Sequence, residues 1–295
     1  MPSGTRYDHL GRTPWHRWWR PVLGTVIVAA AYLLISVVVI TIGAVVAQIA
    51  GVPVVMSEQR LFGDPVFELA VALLSITLVL PVVFGVAWLQ RRRPGTLSSV
   101  GGRLRWKWLL MCSGVALVAM ILGQVAMMLT FGLSGEGLEG MFGWVGWERF
   151  LPALVVVLLL VPFQAAAEEY MFRGWLLQAF GTFFTTPWPG IVIGAAAFTL
   201  LHAYTDWGIL DVFGFGVLMG WLAVRTGGLE APIALHVLNN VVSFLPAAAS
   251  GDLGEALKQG AVPWQSVTGT VVQLAVFAVG VLIIAQKRAI PTLSR

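Results

Sequence analysis

The sequence has few charged residues and only one cysteine. Charged residues make up 11% of its 295 positions, whereas a soluble domain has about 25%. Hydrophobic residues make up 58%, and they form continuous runs rather than the alternating pattern of a transmembrane β-barrel. The single cysteine, Cys112, cannot form an internal disulfide. These shortages exclude a soluble domain and a disulfide scaffold, and they predict an all-α polytopic membrane protein, because lipid accepts only helices and closed barrels as spanning structures.

Eight apolar runs are candidate transmembrane helices, although the fifth and sixth are short for a span of about 20 residues. The first run is much longer than the roughly 7–15 apolar residues of a cleavable signal peptide, so we expect it to remain as a span. The pair Gly216 and Gly220 in the sixth run predicts close helix packing within the chain. The eight runs cover residues 22–50, 66–89, 108–133, 151–180, 190–204, 209–224, 232–249 and 267–285.

Basic residues predict the orientation in the membrane. Four arginines and three tryptophans lie within residues 1–21, and six basic residues lie within residues 91–107. Other loops are acidic or mixed and contain Glu58, Glu136 and Glu139. Short basic loops stay in the cytoplasm, and an even number of spans places both ends of the chain on one side. We therefore expect a multi-pass protein of a bacterial-type plasma membrane with cytoplasmic termini, whose basic segment faces the lipid bilayer rather than nucleic acid.

Ionisable residues inside the apolar runs are the main functional signal. The fourth run contains Glu168, Glu169 and Arg173, the fifth contains His202, and the seventh contains His236. Charged groups at membrane depth are costly, and they usually mark functional sites. We therefore expect a buried polar site built from these three runs.

Helix geometry separates the two neighbouring glutamates. Glu169 and Arg173 are four residues apart, so they lie on one helix face and can form an ion pair. Glu168 is rotated by about 100° from Glu169, and we expect it to face a cavity as a general base or acid. If the helix ended before the pair, both glutamates would lie among headgroups, but the apolar residues at 170–172 and 175–177 argue against that ending.

Two further pairs place polar groups one helical turn apart. Phe198 precedes His202 by four residues, and His236 precedes Asn240 by four. Such histidines and amides can bind a metal, hold a water or stabilise an oxyanion, or they can bond to a neighbouring helix. Glu168 and His202 each lie about twelve residues from one end of their runs, which is roughly 18 Å along a helix. We therefore expect one site between helices four, five and seven.

The three motifs together resemble one protein family. Residues 168–173 match EExxxR, residues 198–202 match FxxxH, and residues 236–240 match HxxxN. In this order on successive membrane segments they resemble the CPBP family of intramembrane proteases, which includes type II CAAX prenyl endopeptidases and bacterial Abi proteins, some of them associated with bacteriocin immunity. The resemblance covers about residues 150–250, and the N-terminal half carries no motif.

The resemblance implies an endopeptidase that hydrolyses a peptide bond of a membrane-associated protein or peptide. It implies that Glu168, aided by His202, activates a water molecule. It also implies that His236 and Asn240 form an oxyanion hole.

We expect supporting roles for Glu169, Arg173 and Phe198.

The apolar runs and the extent of the resemblance together divide the chain into four parts. They are a basic aromatic cytoplasmic segment (1–21), three transmembrane helices with their loops (22–149), the catalytic core (150–250), and the last transmembrane helix with a basic tail (251–295).

Alternatives to this mechanism and function stay open. The chain lacks the HExxH motif of zincins, although Glu168, His202 and His236 could supply a Zn²⁺ site. We favour a glutamate-activated water without a cofactor. A proton-coupled transporter could also use intramembrane ionisable residues, but it predicts inverted repeats that the sequence does not display. A membrane immunity or scaffold protein of the same fold would not need hydrolysis.

Overall fold

The structure, a computed structural model, describes residues 3–57, 60–135 and 143–294. Glu58, Glu136 and Glu139, which contributed to the expected orientation, lie outside the described residues. A π-helix (Tyr170–Leu176) joins α5 to α6, and short 3₁₀ helices cover Tyr7–His9 and Pro94–Leu97. The α-helices are α1 (Trp19–Ala50), α2 (Pro65–Thr77), α3 (Leu80–Leu89), α4 (Trp106–Leu133), α5 (Trp147–Glu169), α6 (Leu177–Phe180), α7 (Trp188–Leu200), α8 (Asp206–Thr226), α9 (Glu230–Ser250), α10 (Leu253–Lys258) and α11 (Trp264–Lys287).

The all-α polytopic architecture is confirmed, and the described residues form very little sheet. Two short strands, β1 (Tyr204–Thr205) and β2 (Gly260–Val262), pair in parallel. Among the described residues, seven helical stretches are long and apolar enough to cross a membrane. They are Trp19–Ala50, Pro65–Leu89, Trp106–Leu133, Trp147–Phe180, Asp206–Thr226, Glu230–Ser250 and Trp264–Lys287.

The fifth apolar run, expected at residues 190–204 as one of eight spans, forms a shorter helix than expected. α7 has 13 residues and ends at Leu200. At 1.5 Å per residue it is about 20 Å long, which is less than the roughly 30 Å hydrocarbon core of a bilayer. The sequence after it is also apolar at Leu201, Ala203 and Tyr204, but these residues leave the helix and lead into β1. His202 therefore lies just beyond the helix end rather than inside a span.

The second span is interrupted, and its first half supports the helix that carries the glutamates. α2 and α3 are separate helices, and Pro81 at the start of α3 has no N–H with which to continue the hydrogen-bond ladder of α2. Leu69 and Leu73 of α2 share a buried cluster with Val157 of α5. This packing places α2 beside the helix of the candidate site.

Both termini lie at one end of the helix bundle, which we call the terminal end. The backbone N–H of Gly4 donates to the carbonyl of Ser294 (2.8 Å). At the same end, the N–H of Val100 in the 91–105 loop donates to the carbonyl of Gly227 between α8 and α9 (2.9 Å). Both termini and two basic regions of the chain therefore share one side of the bundle.

The opposite end holds the start of α5 and the end of α9. The N–H of Val145, just before α5, donates to the carbonyl of Ala249 in the last turn of α9 (2.9 Å). The strands β1 and β2 directly precede α8 and α11, so they also belong to the opposite end.

The glycine pair of the sixth run packs within the chain, as expected. A Cβ on Gly216 would lie 2.9 Å from the Cβ of Ala195, and one on Gly220 would lie 3.3 Å from Ile191. The missing side chains let α8 approach α7 closely, which fixes α7 and the His202 that follows it against the bundle.

Candidate active site

A cavity of about 310 Å³ lies between the helices at the site expected from the sequence. Glu168, His202, His236 and Asn240 all line it. These residues belong to α5, the end of α7, and α9, which are the fourth, fifth and seventh apolar runs. Side chains of α1, α2, the π-helix, α8, α11 and residues 256–262 form other parts of the wall. The four candidate catalytic residues are therefore brought together around one cavity.

The helix that carries the glutamates does not end at them. α5 continues directly into the π-helix after Glu169 and then into α6. π-helical turns are rare, and they occur frequently at functional sites. The phenol of Tyr170, the first π-helical residue, hydrogen bonds with Ser98 Oγ (2.7 Å). This bond ties the wide turn to the terminal end of the molecule.

Arg173 pairs with Glu169, as their spacing predicts. Arg173 Nη1 donates to Glu169 Oε1 at 2.9 Å, and both side chains are buried. Arg173 Nη2 also donates to the carbonyl of Gly216 on α8 (3.3 Å). The arginine therefore has partners on two helices and does not project into the cavity.

The two glutamates differ in exposure, and His236 lies between them. The Glu169 side chain is fully buried, whereas that of Glu168 is 9% exposed and lines the cavity. His236 Nδ1 is 2.7 Å from Glu169 Oε1, and His236 Nε2 is 3.2 Å from Glu168 Oε2. Two carboxylates, Arg173 and His236 make up this cluster. When His236 carries a proton on both nitrogens, the two positive and two negative charges cancel.

This position of His236 was not anticipated from the sequence. The resemblance implied that His236 acts with Asn240 on an oxyanion, and spacing along one helix says nothing about contacts with another helix. In the structure Asn240 Nδ2 donates to Gln164 Oε1 (2.9 Å). Gln164 lies one turn before Glu168 on α5. An amide has two N–H hydrogens, so one hydrogen of Asn240 is left for a second acceptor.

The His202 ring is oriented by a hydrogen bond to the end of α7. Its Nδ1 is 2.8 Å from the carbonyl oxygen of Phe198. A carbonyl accepts only, so Nδ1 carries the proton, and the other ring nitrogen of the neutral imidazole keeps a free lone pair. The ring packs against Phe198 (centroids 4.5 Å apart) and lies nearly parallel to Tyr204 (6.3 Å). Among the described residues, His202 makes no hydrogen bond with Glu168.

Phe198 packs between the other site residues. The guanidinium carbon of Arg173 lies 4.4 Å from the centre of the Phe198 ring, a cation–π arrangement. The ring also meets His236 edge-to-face at 5.7 Å. Phe198 thus fixes both histidines and the arginine relative to one another.

Several polar lining residues were missed by the sequence reasoning. Gln164 could have been found, because it lies four residues before Glu168 on the same helix. Asp211 could also have been found, as a charged residue inside the sixth run. Gln259 carried no signal, because it lies between α10 and β2, outside the apolar runs. Its Oε1 accepts from the N–H of Ala203, next to His202 (2.6 Å).

Tyr204 at the rim of the cavity is outside the spanning helices, and its surroundings keep it a neutral phenol. Burial raises the pKa of Tyr204, and the negative charge of Asp211 raises that pKa further. The phenol therefore stays protonated at neutral pH and can donate a hydrogen bond.

Glu168, His202 and His236 are the residues that the sequence offers as a possible zinc site. Among the described residues, no three His, Cys, Asp or Glu side chains converge as metal ligands.

Comparisons with known proteins relate about a third of the chain to one family. The model of the Rce1-like type II CAAX prenyl endopeptidases matches residues 149–242, which contain all three motifs. The uncharacterized protein YyaK of Bacillus subtilis (strain 168) is 34% identical over 101 residues, which are 32% of this chain and 34% of that protein. The match thus spans about a third of the length of this curated relative. No solved structure matches. Residues 149–242 therefore match the domain of the Rce1-like type II CAAX prenyl endopeptidases, which is the CPBP/Abi family.

Proposed function

We propose that the protein is an intramembrane endopeptidase that hydrolyses a peptide bond of a membrane-associated protein or peptide. The observation that carries the proposal is the state of Glu168. This carboxylate lines a cavity among membrane-spanning helices. Its buried Oε2 lies 3.2 Å from His236 Nε2 but makes no contact with hydrogen-bond geometry among the described residues. A carboxylate in this position can take a proton from water.

The reaction begins with a water molecule in the cavity. Glu168 accepts a proton from the water, and the free ring nitrogen of His202 holds the water by accepting its second hydrogen. The water oxygen bonds to the substrate carbonyl carbon and forms a tetrahedral intermediate. Glu168 then returns the proton to the substrate nitrogen as the C–N bond breaks.

The intermediate's negative oxygen needs nearby N–H donors. The remaining amide hydrogen of Asn240 and an N–H at Nε2 of His236 are the donors of the site that can serve it. Glu169 and Arg173 act through His236, because Glu169 fixes its other nitrogen and Arg173 neutralises Glu169. Their role is to position the histidine, with Phe198 packed against it.

The proposal is tested by comparing protein N-termini in membranes from cells with different variants. Cells with the wild-type chain should contain N-termini that are absent from cells with Glu168→Gln. Glu148→Gln is the matched control, because Glu148 is an exposed glutamate at the start of the same helix. Identical N-termini in all three strains would contradict the proposal and favour a scaffold or immunity role for the same fold.

We also propose that the terminal end faces the cytoplasm of a bacterial-type cell. Support comes from the basic residues of segments 1–21 and 91–107, both of which lie at that end. Single cysteines can be introduced into a Cys112→Ser background at the exposed positions Arg93 and Glu255. On intact cells an impermeant maleimide should label the cysteine at 255 and spare the one at 93. The reverse labelling would contradict the orientation.

A further inference from the structure

The cavity contains a second carboxylate that the proposed mechanism does not use. Asp211 lies on α8, five residues after the helix starts at the opposite end, and it lines the same cavity as Glu168. Its Oδ2 accepts a hydrogen bond from Thr270 Oγ1 of α11 (3.0 Å). Its Oδ1 is buried and has no hydrogen-bond partner among the described residues. A buried acceptor in this state is destabilising until a donor reaches it.

The charges around the cavity leave Asp211 without a counterion. No lysine or arginine is among the described residues that line it. Glu168 faces His236, and Arg173 is engaged by Glu169 and by the Gly216 carbonyl. Asp211 has only the neutral hydroxyl of Thr270. The α8 wall of the cavity therefore has a carboxyl group without a lysine or arginine partner among the described residues.

The remaining walls are suited to an apolar peptide. α2 contributes Leu69, Leu73 and Ile76, and Phe172 and Phe215 line other parts of the surface. An apolar segment that carries one cationic side chain would satisfy both the apolar walls and Asp211. A free carboxylate would find no cation in the described lining, and a C-terminal CAAX sequence brings such a group with its last residue.

We propose that Asp211 is a specificity-determining residue that binds a lysine or arginine side chain of the peptide substrate. The inference rests on the proposed function, because it names the class of peptide that the same cavity accepts. The substrate's ammonium or guanidinium group donates to Asp211 Oδ1, while Thr270 holds Oδ2. Charge-assisted bonds of this kind are stronger than neutral ones, and like charges are rejected.

Binding of defined peptides tests the proposal without requiring cleavage. The probes are fluorescent nonapeptide amides of alternating leucine and alanine with lysine, glutamine or glutamate at the centre. A fourth probe is the glutamine peptide with a free C-terminal carboxylate. The repeating sequence can slide along the cavity, so the central side chain can reach Asp211. Fluorescence anisotropy is measured with the full chain carrying Glu168→Gln in phosphatidylcholine nanodiscs, with empty nanodiscs subtracted.

We expect the lysine peptide to bind about tenfold more tightly than the glutamine peptide, a difference of about 1.4 kcal/mol. The glutamate peptide and the free carboxylate should bind most weakly. Asp211→Asn should lower the affinity for the lysine peptide to the affinity for the glutamine peptide. Asp206→Asn is the matched control, because Asp206 is an exposed aspartate on the same helix; it should preserve the preference.

Three results would overturn the proposal: no binding of the lysine peptide, equal affinity for the lysine and glutamine peptides, or a preference that survives Asp211→Asn. The comparison of probes needs only the protein with Asp211 in place, so misfolding of Asp211→Asn would not remove the test. The proposed function is judged separately, because N-termini that do not depend on Glu168 would contradict hydrolysis even if the lysine preference were found.

Discussion

Two buried carboxylate clusters in this protein differ in how completely their oxygens are bonded. At the terminal end, Glu230 Oε1 accepts from the backbone N–H and Nε of Arg105 (2.8 Å each), and Oε2 accepts from Nη2 (2.7 Å). Arg105 also donates to the carbonyls of Thr226 and Pro291 (3.0 Å each). This cluster joins the starts of α4 and α9 to the end of α8 and the C-terminal tail, and both carboxylate oxygens have partners.

In the second cluster, formed by Glu168 and Glu169 at the cavity, not every carboxylate oxygen is hydrogen bonded. Glu168 Oε2 and Glu169 Oε2 are buried and make no contact with hydrogen-bond geometry among the described residues, although His236 Nε2 lies 3.2 Å from Glu168 Oε2. Buried polar atoms without partners are rare in native proteins. The comparison teaches that burial alone does not distinguish a carboxylate with both oxygens bonded from one with unused acceptor capacity. Under the proposed function, the unused acceptor capacity of Glu168 is where the water molecule binds.

The largest expected effect is loss of cleavage when Glu168 is changed. Glu168→Gln keeps the size of the side chain but removes its basicity, and loss of a general base typically lowers the rate about 10²–10⁴-fold. The measurement is the rate of cleavage of a substrate from the N-terminal comparison, with purified protein of equal thermal stability. Glu148→Gln should retain the wild-type rate. Retention of the rate by Glu168→Gln would show that another group activates the water.

The contrast between the clusters also marks what the sequence could predict. The Glu169–Arg173 pair was predictable, because a four-residue spacing on one helix fixes the contact. The Arg105–Glu230 pair joins residues far apart in sequence, so its partners are defined only when α4 and α9 pack together. His236 between the two glutamates depends in the same way on how α9 is rotated against α5.

The end of α7 was the least predictable part of the site. Apolar residues continue past Leu200, so hydrophobicity alone extends the run to residue 204. The helix stops earlier because the chain turns into β1, whose partner β2 lies more than fifty residues later. His202 lines the same cavity as Glu168, but it lies beyond the end of the helix and not in the interior of a span as predicted.

A smaller effect, on stability rather than rate, is expected at the terminal end. Glu230→Gln leaves the Arg105 guanidinium without its counterion, and breaking a buried ion pair typically costs about 3–5 kcal/mol. We expect the lower part of that range, because the Arg105 side chain is 16% exposed. Unfolding by denaturant in detergent micelles measures the change. Cleavage per folded molecule should stay at the wild-type value.

The comparison would fail if Glu230→Gln lowered cleavage while leaving the free energy of unfolding unchanged. In that case Glu230 would affect catalysis although both of its carboxylate oxygens have hydrogen-bond partners. The number of bonded oxygens would then not distinguish a catalytic cluster from a structural one. Arg105→Gln provides a check, because it should destabilise the protein by a similar mechanism through the orphaned Glu230.

The smallest expected effect is the coupling between Glu169 and Arg173. Glu169→Gln leaves Arg173 buried without its countercharge, and Arg173→Gln in the same chain removes that unpaired charge. A double-mutant cycle in unfolding free energy should give a coupling of about 0.5–3 kcal/mol. The exposed pair Glu255–Lys258 (2.7 Å) is the reference, and its coupling should stay below about 1 kcal/mol.

Rescue by Arg173→Gln should be confined to stability. Glu169 Oε1 also accepts from His236, so the double variant still lacks the carboxylate that fixes this histidine, and its cleavage rate should stay low. Arg173→Gln should give no rescue of Glu168→Gln, because Arg173 hydrogen bonds with Glu169. Coupling of Arg173 to Glu168 and not to Glu169 would contradict this assignment. The roles proposed for Glu168 and Glu169 would then have to be exchanged.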